Sequence, residues 1–169
     1  MKELFSARAL MCTSLLLFAV HATGLTGNGQ SQAINFDLKD QNDRQVSVKF
    51  PSDRVAILIF GDRKGSEQID GWSGPIYKRY GNNIYLFGIA SLTGVPGAAR
   101  PLVRRLIRRQ TNFPVLLDWG GKVSKAYSYE AGKATVVMVG KDGRILSRRT
   151  GKATVAEINK LFREIDANQ

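Results

Sequence analysis

Residues 55–60 read Val-Ala-Ile-Leu-Ile-Phe, six apolar residues in a row that stop at Gly61. A run of this length with no polar residue is typical of a strand that is covered on both faces. A second apolar run covers 84–90, and between the two runs the apolar residues of 69–80 recur at helical spacing. Two buried strands joined by a helix predict a parallel pair with a right-handed crossover. The chain is therefore predicted to have an α/β fold.

Further patterns on either side of this unit complete the predicted fold. Apolar spacing and turn residues predict, in chain order, a β-hairpin over 36–50, a helix over 99–107, a strand over 114–118, a short helix over 123–127 and a second hairpin over 135–149. A last helix begins at Thr154, where Thr154 and Glu157 form a capping box whose groups satisfy exposed backbone donors reciprocally. We expect a mixed sheet with helices on both faces, in which the helix and strand of 99–118 form an insertion. The domain spans 34–168, and the glycine-rich, polar segment 23–33 before it is predicted to be a flexible linker.

Residues 1–22 have the three parts of a secretory signal. A positively charged start precedes an apolar run over 9–20, and Val20-His21-Ala22 has the small-residue pattern of a cleavage site. We expect this signal peptide to be removed, with an uncleaved anchor as the alternative. The location implied is periplasmic or secreted.

The only cysteine, Cys12, and the only histidine, His21, lie within this predicted signal. After cleavage the chain would have no thiol and no imidazole. That excludes cysteine nucleophiles, Ser-His-Asp triads, and zinc or copper sites built on Cys or His. We therefore expect no metal, no cofactor, and no thiol oxidoreductase or peroxidase activity from the mature chain alone.

The chain is strongly basic, with a formal net charge of +11. The predicted signal contributes Lys2, Arg8 and Glu3, so the rest of the chain retains +10. A surplus of this size favours anionic partners such as phospholipid, lipopolysaccharide or nucleic acid, while solubility alone is the simpler explanation.

The order of the predicted elements, and the phrases that fall on them, resemble the redoxin superfamily. The phrases are Ile-Asn-Phe-Asp-Leu-Lys-Asp at 34–40, the apolar run at 55–60, Phe-Pro-Val-Leu-Leu-Asp at 113–118 and Val-Met-Val-Gly-Lys-Asp-Gly-Arg-Ile at 137–145. This superfamily includes the peroxiredoxins of the AhpC/TSA type and the exported thioredoxin-like proteins of the TlpA kind. The chain is most similar to a cysteine-free exported subgroup, of which the YtfJ-like proteins are an example. The resemblance implies a thioredoxin-like fold.

The chain departs from this family at the redox site. The family places a reactive cysteine pair after the first central strand, which corresponds here to Gly65 and Gln68 or, counted back from Pro75, to Glu67 and Asp70. The family also carries a cis-proline that faces the redox site, and the matching position here is Ala134. Since neither feature is present, disulfide exchange and peroxide reduction by the familiar route are not available to this chain.

The loop after the first central strand, together with the segment that faces it, forms a first candidate site for an anion or a partner: Arg63, Lys64, Gly65, Ser66, Glu67, Lys133 and Ala134. Arg63 and Lys64 would lie near the N-terminus of the first helix, where free backbone amides attract anions, with Lys133 opposite them. A carboxylate, a phosphate or a peptide terminus would fit there. The alternative is a solvated loop in which Asp62, Glu67 and Asp70 pair with the basic residues.

A second candidate is a basic helix that carries Arg100, Arg104, Arg105, Arg108 and Arg109. On a helix, Arg100, Arg104 and Arg108 form one stripe, flanked by the other two and opposite the apolar residues. These side chains suit phosphate groups or an anionic membrane surface, with peripheral contact only. Nucleic acid is disfavoured because no aromatic residues interleave with the arginines. The alternative is an ordinary solvated helix face.

These observations predict an exported, non-catalytic binding module that holds an envelope protein or an anionic partner on a basic surface. One alternative is a redoxin-type oxidoreductase or antioxidant component that acts only with a thiol-bearing partner. Another is a purely structural component of the envelope.

Overall fold

The structure, a computed structural model, describes residues 31–169. The predicted signal segment 1–22 and residues 23–30 of the predicted linker lie outside the described residues. The described part contains seven strands: β1 (Phe36–Lys39), β2 (Gln45–Val48), β3 (Ala56–Gly61), β4 (Tyr85–Ser91), β5 (Val115–Asp118), β6 (Thr135–Val139) and β7 (Ile145–Thr150). It also contains four α-helices: α1 (Asp70–Tyr80), α2 (Arg100–Gln110), α3 (Lys122–Ala126) and α4 (Val155–Asp166). None of the helices within this described range is both long and apolar enough to cross a membrane.

Strands β3 to β7 form one sheet in the order β5-β4-β3-β6-β7. In this sheet β3, β4 and β5 are parallel, while β6 is antiparallel to β3 and β7 is antiparallel to β6. Strands β1 and β2 form a separate antiparallel hairpin. The predicted mixed sheet is confirmed, with its N-terminal hairpin and with α2 and β5 as the inserted helix and strand.

The central strand β3 is buried on both faces, as the apolar run at 55–60 predicts, whereas β4, which was also predicted to be buried, is half-buried except at Ile89. Along β3, Leu58 and Phe60 point to one side, where they pack with Tyr127, the residue after α3. Ile57 and Ile59 point to the other side and pack against α1 and α4. Because side chains alternate along a strand, an uninterrupted apolar run supplies both cores at once.

The predicted linker ends earlier than the sequence suggests. The Ala33 amide donates a hydrogen bond to the Gly143 carbonyl (2.8 Å), and the Ile145 amide donates to the Ser31 carbonyl (3.0 Å). Ala33 is buried in the core. The segment 31–33 therefore belongs to the domain, since it pairs with the turn between β6 and β7.

The start of α4 shows half of the predicted capping box. Thr154 Oγ1 accepts a hydrogen bond from the Glu157 amide (3.2 Å), as an N-cap residue does. The Glu157 side chain does not complete the box: its Oε2 accepts from Arg149 Nε instead (3.1 Å). An ion pair with β7 thus replaces the reciprocal bond.

Arg149 is the one arginine within residues 31–169 that is buried, with 7% of its side chain exposed. Its Nη2 donates to Glu164 Oε1 and its Nη1 to Ser147 Oγ, each at 2.8 Å, in addition to the Glu157 contact. Ser147 Oγ in turn donates to Glu164 Oε2 (2.7 Å). A buried cation needs such partners, and here they join α4 to β7.

Glu164→Gln is expected to destabilise the fold at neutral pH by about 2 kcal/mol, because a charged partner of a buried arginine is lost. Partial burial would raise the pKa of Glu164, but the hydrogen bonds from Arg149 and Ser147 outweigh it and lower that pKa below 4.5. The contribution is therefore present above pH 4.5 and disappears as the pH falls through the lowered native pKa. Chemical denaturation across this range measures the difference. The exposed Glu67→Gln is the matched control, and an equal loss in both variants would contradict the account.

Candidate functional site

Strand β3 and the segment before β6 bring two loops together at one edge of the sheet. β3 is followed by the loop 62–64 and by a 3₁₀ turn over Gly65–Gln68 that leads into α1. β6 is antiparallel to β3, with Phe60 opposite Thr135, so the end of β3 and the start of β6 lie side by side. The two loops that carry the residues of the first candidate site therefore lie side by side, with 62–68 facing 132–134.

The carboxylate of Asp62 accepts hydrogen bonds from the free backbone amides of this site. Its Oδ1 accepts hydrogen bonds from the amides of Gly65 (2.7 Å) and Lys64 (3.0 Å). Its Oδ2 accepts from the Gly132 amide (2.8 Å), across the gap between the two loops. An internal carboxylate thus binds where we predicted an external anion.

The surroundings of Asp62 keep it ionised. Partial burial would raise the pKa of Asp62, but the hydrogen bonds from Gly65, Gly132, Tyr129 and Lys64 outweigh this and lower the pKa. The Asp62 amide also donates to Tyr129 Oη (2.9 Å). Burial, followed by the nearby Asp62 carboxylate, raises the pKa of Tyr129 to about 12. The phenol is neutral and the carboxylate charged at any physiological pH.

The two loops are also in direct contact at Gly65. A Cβ atom placed on Gly65 would lie 2.7 Å from the Lys133 carbonyl oxygen, a distance that a real side chain cannot adopt. Next to this contact, Gln68 Oε1 accepts a hydrogen bond from the Ala134 amide (3.2 Å). Gly65 and Gln68 are therefore the pair that faces the Lys133–Ala134 segment. The peptide bond between Lys133 and Ala134 is trans, since within residues 31–169 only Phe50–Pro51 is cis.

The charged residues of this first candidate are not gathered around a vacant anion site. Arg63, Lys64, Ser66 and Glu67 are exposed, and the ammonium group of Lys133 forms an ion pair with Glu130. The alternative, a solvated loop in which Asp62, Glu67 and Asp70 pair with the basic residues, agrees with this exposure, but the pairing itself is not observed. Asp62 bonds to backbone amides, and neither Glu67 nor Asp70 forms an ion pair within residues 31–169. The available signal for the local bonds was an aspartate in a polar, glycine-containing loop, since aspartate side chains accept hydrogen bonds from backbone amides two or three residues ahead.

Helix α2, the second candidate, has an orientation that the sequence does not predict. Arg104 Nη1 donates to Asp43 Oδ2 in the turn between β1 and β2 (2.8 Å), and Arg100 lies over the ring of Trp119 (5.2 Å to the centroid). Arg104 is half-buried by its contact, whereas Arg100 stays exposed beside Trp119. The predicted stripe is therefore divided: Arg100 and Arg104 contact other parts of the protein, and Arg108 is exposed.

The outward side of α2 carries both charge and apolar surface. No residue of α2 is buried, and Leu102 and Leu106 are 57% and 47% exposed. Arg105, Arg108 and Arg109 are exposed, and none of the three forms an ion pair within the described residues. The basic cluster that remains available is thus this arginine triplet beside two exposed leucines.

The described residues offer no assembled metal site, since no three His, Cys, Asp or Glu side chains in 31–169 are grouped closely enough to share an ion.

Comparison with known proteins supports the fold. No family model matches the sequence, and no curated protein matches it. The structure is similar to the pneumococcal exposed lipoprotein thioredoxin of Streptococcus pneumoniae strain TIGR4, with a TM-score of 0.61 and 18% identity over 78% of this chain and 99% of that one. It is also similar to a thiol:disulfide interchange protein of the thioredoxin family from Chlorobium tepidum TLS (TM-score 0.58, 14% identity, 80% and 96% covered) and to StoA from Bacillus subtilis (TM-score 0.58, 14% identity, 76% and 96% covered).

These likenesses establish that the chain has a thioredoxin-like fold, as the resemblance of its phrases implied. The chain covers nearly the whole length of each of these proteins.

Gly65→Ala is expected to destabilise the fold by about 1–3 kcal/mol, because its methyl group would overlap the Lys133 carbonyl and force the loops apart. Gly97→Ala, in the turn before α2, is the matched control. A Cβ atom there meets nothing within 4 Å and the backbone is not left-handed, so a gain of no more than about 1 kcal/mol is expected. Thermal or chemical denaturation measures both, and a Gly65→Ala protein as stable as the wild type would refute the close contact.

Proposed function

We propose that the protein is a non-catalytic thioredoxin-like binding module that holds an anionic partner on the exposed face of α2. The binding face consists of Arg105, Arg108 and Arg109, with Leu102 and Leu106 beside them. The position that carries thiols in the resembled family has no binding or catalytic role in this proposal, because it is filled by the protein's own groups.

Composition and geometry both support an absence of thiol chemistry. Residues 31–169 contain no cysteine and no histidine, so the described part of the chain supplies neither a thiolate nor an imidazole base to the loops. Gly65 has no room for a side chain against Lys133, and Gln68 is engaged with Ala134. A thiol brought by another protein would have to separate contacts that the native fold makes.

The unpaired arginine triplet of α2 is the observation that carries the proposal. Most other arginines of the described chain have a carboxylate partner: Arg44, Arg54, Arg79, Arg104, Arg144 and Arg149. Three neighbouring guanidinium groups without one create a local positive potential, and the net charge of the whole chain adds to it. A partner with several negative charges would be electrostatically complementary to these three arginines.

The expected location of this module is outside the cytoplasm. The signal-like pattern of 1–22 supports export. The similarity to an exposed lipoprotein thioredoxin is compatible with it. An envelope is also where a basic, cysteine-free protein meets extended anionic surfaces.

Retention on phosphocellulose tests the basic face. The triple variant Arg105→Glu, Arg108→Glu and Arg109→Glu should bind roughly tenfold more weakly than the wild type at low salt, because several weak ion pairs are lost together. The control is Lys39→Glu, Lys49→Glu and Lys78→Glu, which changes the net charge equally at three exposed positions elsewhere. Elution at the same salt concentration for both variants would show that net charge alone, and not α2, holds the anion.

Insulin turbidity in the presence of dithiothreitol tests the absence of catalysis. The purified full chain should leave the reduction rate unchanged, since its loops offer no thiol and no space for one. A concentration-dependent increase in that rate would contradict the non-catalytic assignment.

A further inference from the structure

Helix α2 presents apolar and basic side chains as neighbours on one outward face. Leu102 and Leu106 are one helical turn apart, and so are Arg105 and Arg109. The spacings Leu102 to Arg105 and Leu106 to Arg109 are both i, i+3, which places each arginine next to a leucine on the helix surface. The two exposed leucines are thus bordered by guanidinium groups.

Two contacts on the opposite side fix this orientation. Arg104 is held by Asp43, and Arg100 is held over Trp119. The helix cannot turn its leucines inward without breaking both contacts. Their exposure is therefore a property of the folded domain, at 57% and 47% of the side-chain surface.

We infer that this face of α2 lies flat on a bilayer that contains anionic phospholipids. This inference rests on the proposed function and names its partner. Arg105, Arg108 and Arg109 bind lipid phosphates, while Leu102 and Leu106 enter the boundary between headgroups and acyl chains. The 11-residue helix is about 16 Å long and lies parallel to the surface, since it is far too short to cross the bilayer.

A lipid surface would bind both the arginines and the leucines of this face. A free phosphate or a nucleotide would satisfy the arginines and leave the leucines in water. A bilayer supplies phosphates in a plane and hydrocarbon directly beneath them, which is the arrangement that short amphipathic helices bind. The strongly basic chain as a whole is complementary to an extended anionic surface, and attraction to such a surface adds up over many charges.

Co-sedimentation of the purified full chain with lipid vesicles tests the inference. Vesicles of phosphatidylcholine mixed with phosphatidylglycerol should bind the wild type, and vesicles of phosphatidylcholine alone should bind it far more weakly. Each arginine contributes about a fivefold factor near an anionic surface. Arg105→Gln, Arg108→Gln and Arg109→Gln together should therefore lower partitioning roughly 100-fold. The control Lys39→Gln, Lys49→Gln and Lys78→Gln should lower it much less.

The decisive variant is Leu102→Ser with Leu106→Ser, which leaves the charge unchanged. It should lower partitioning onto anionic vesicles roughly tenfold and leave retention on phosphocellulose unaltered. Because both leucines are about half exposed in the folded domain, the variant should keep its melting temperature within a few degrees, which circular dichroism checks.

The results distinguish failure of the lipid-surface inference from failure of the proposed anion-binding function. If α2 controls retention on phosphocellulose or on polyglutamate, but vesicles bind weakly or the leucine variant binds them as the wild type does, the lipid surface is wrong. An acidic protein partner then takes its place, and the binding function stands. If the arginine variant behaves as its lysine control on every support, both proposals fall.

Discussion

The carboxylate of Asp62 is the constraint on which the site depends. It accepts three backbone hydrogen bonds, two from the turn that follows β3 and one from Gly132, which is 70 residues away in the sequence. With these bonds made, Gly65 rests against the Lys133 carbonyl and Gln68 reaches the Ala134 amide. The turn after β3 exposes free backbone amides, and here the chain itself supplies the anion that accepts from them.

This arrangement connects the fold to the proposed function. A thioredoxin-like sheet places two loops at one edge, and in this chain the side chains of Asp62 and Gln68 accept hydrogen bonds from backbone amides of both loops. Helix α2 belongs to the inserted helix–strand unit and leads to β5, the edge strand of the sheet. Asp43 and Trp119 hold it from below, and its remaining arginines and leucines face outward.

The strands and hairpins could be predicted because their patterns are local in the sequence. The contacts of Asp62 and the orientation of α2 could not, because each depends on one residue that is distant in the sequence. β3 and the hairpins were predictable because apolar runs and turn residues are local. Asp62 was not, since one aspartate in a polar loop suggests a surface ion pair until Gly132 is known to lie beside it. The orientation of α2 likewise depends on Asp43, 61 residues away from Arg104. Segment 31–33 continues a glycine-rich, polar stretch in the sequence, and its backbone hydrogen-bond partners lie in the distant turn near Gly143.

The amide resonances of Gly65 and Gly132, followed by two-dimensional nuclear magnetic resonance as the pH is lowered, test the central contact most directly. Both amides donate to one carboxylate, so they should shift together, with a single midpoint below the ordinary aspartate pKa of 3.8. In an Asp62→Asn protein this shared transition should vanish. Separate midpoints, or a common midpoint at or above 3.8, would show that Asp62 does not join the two loops.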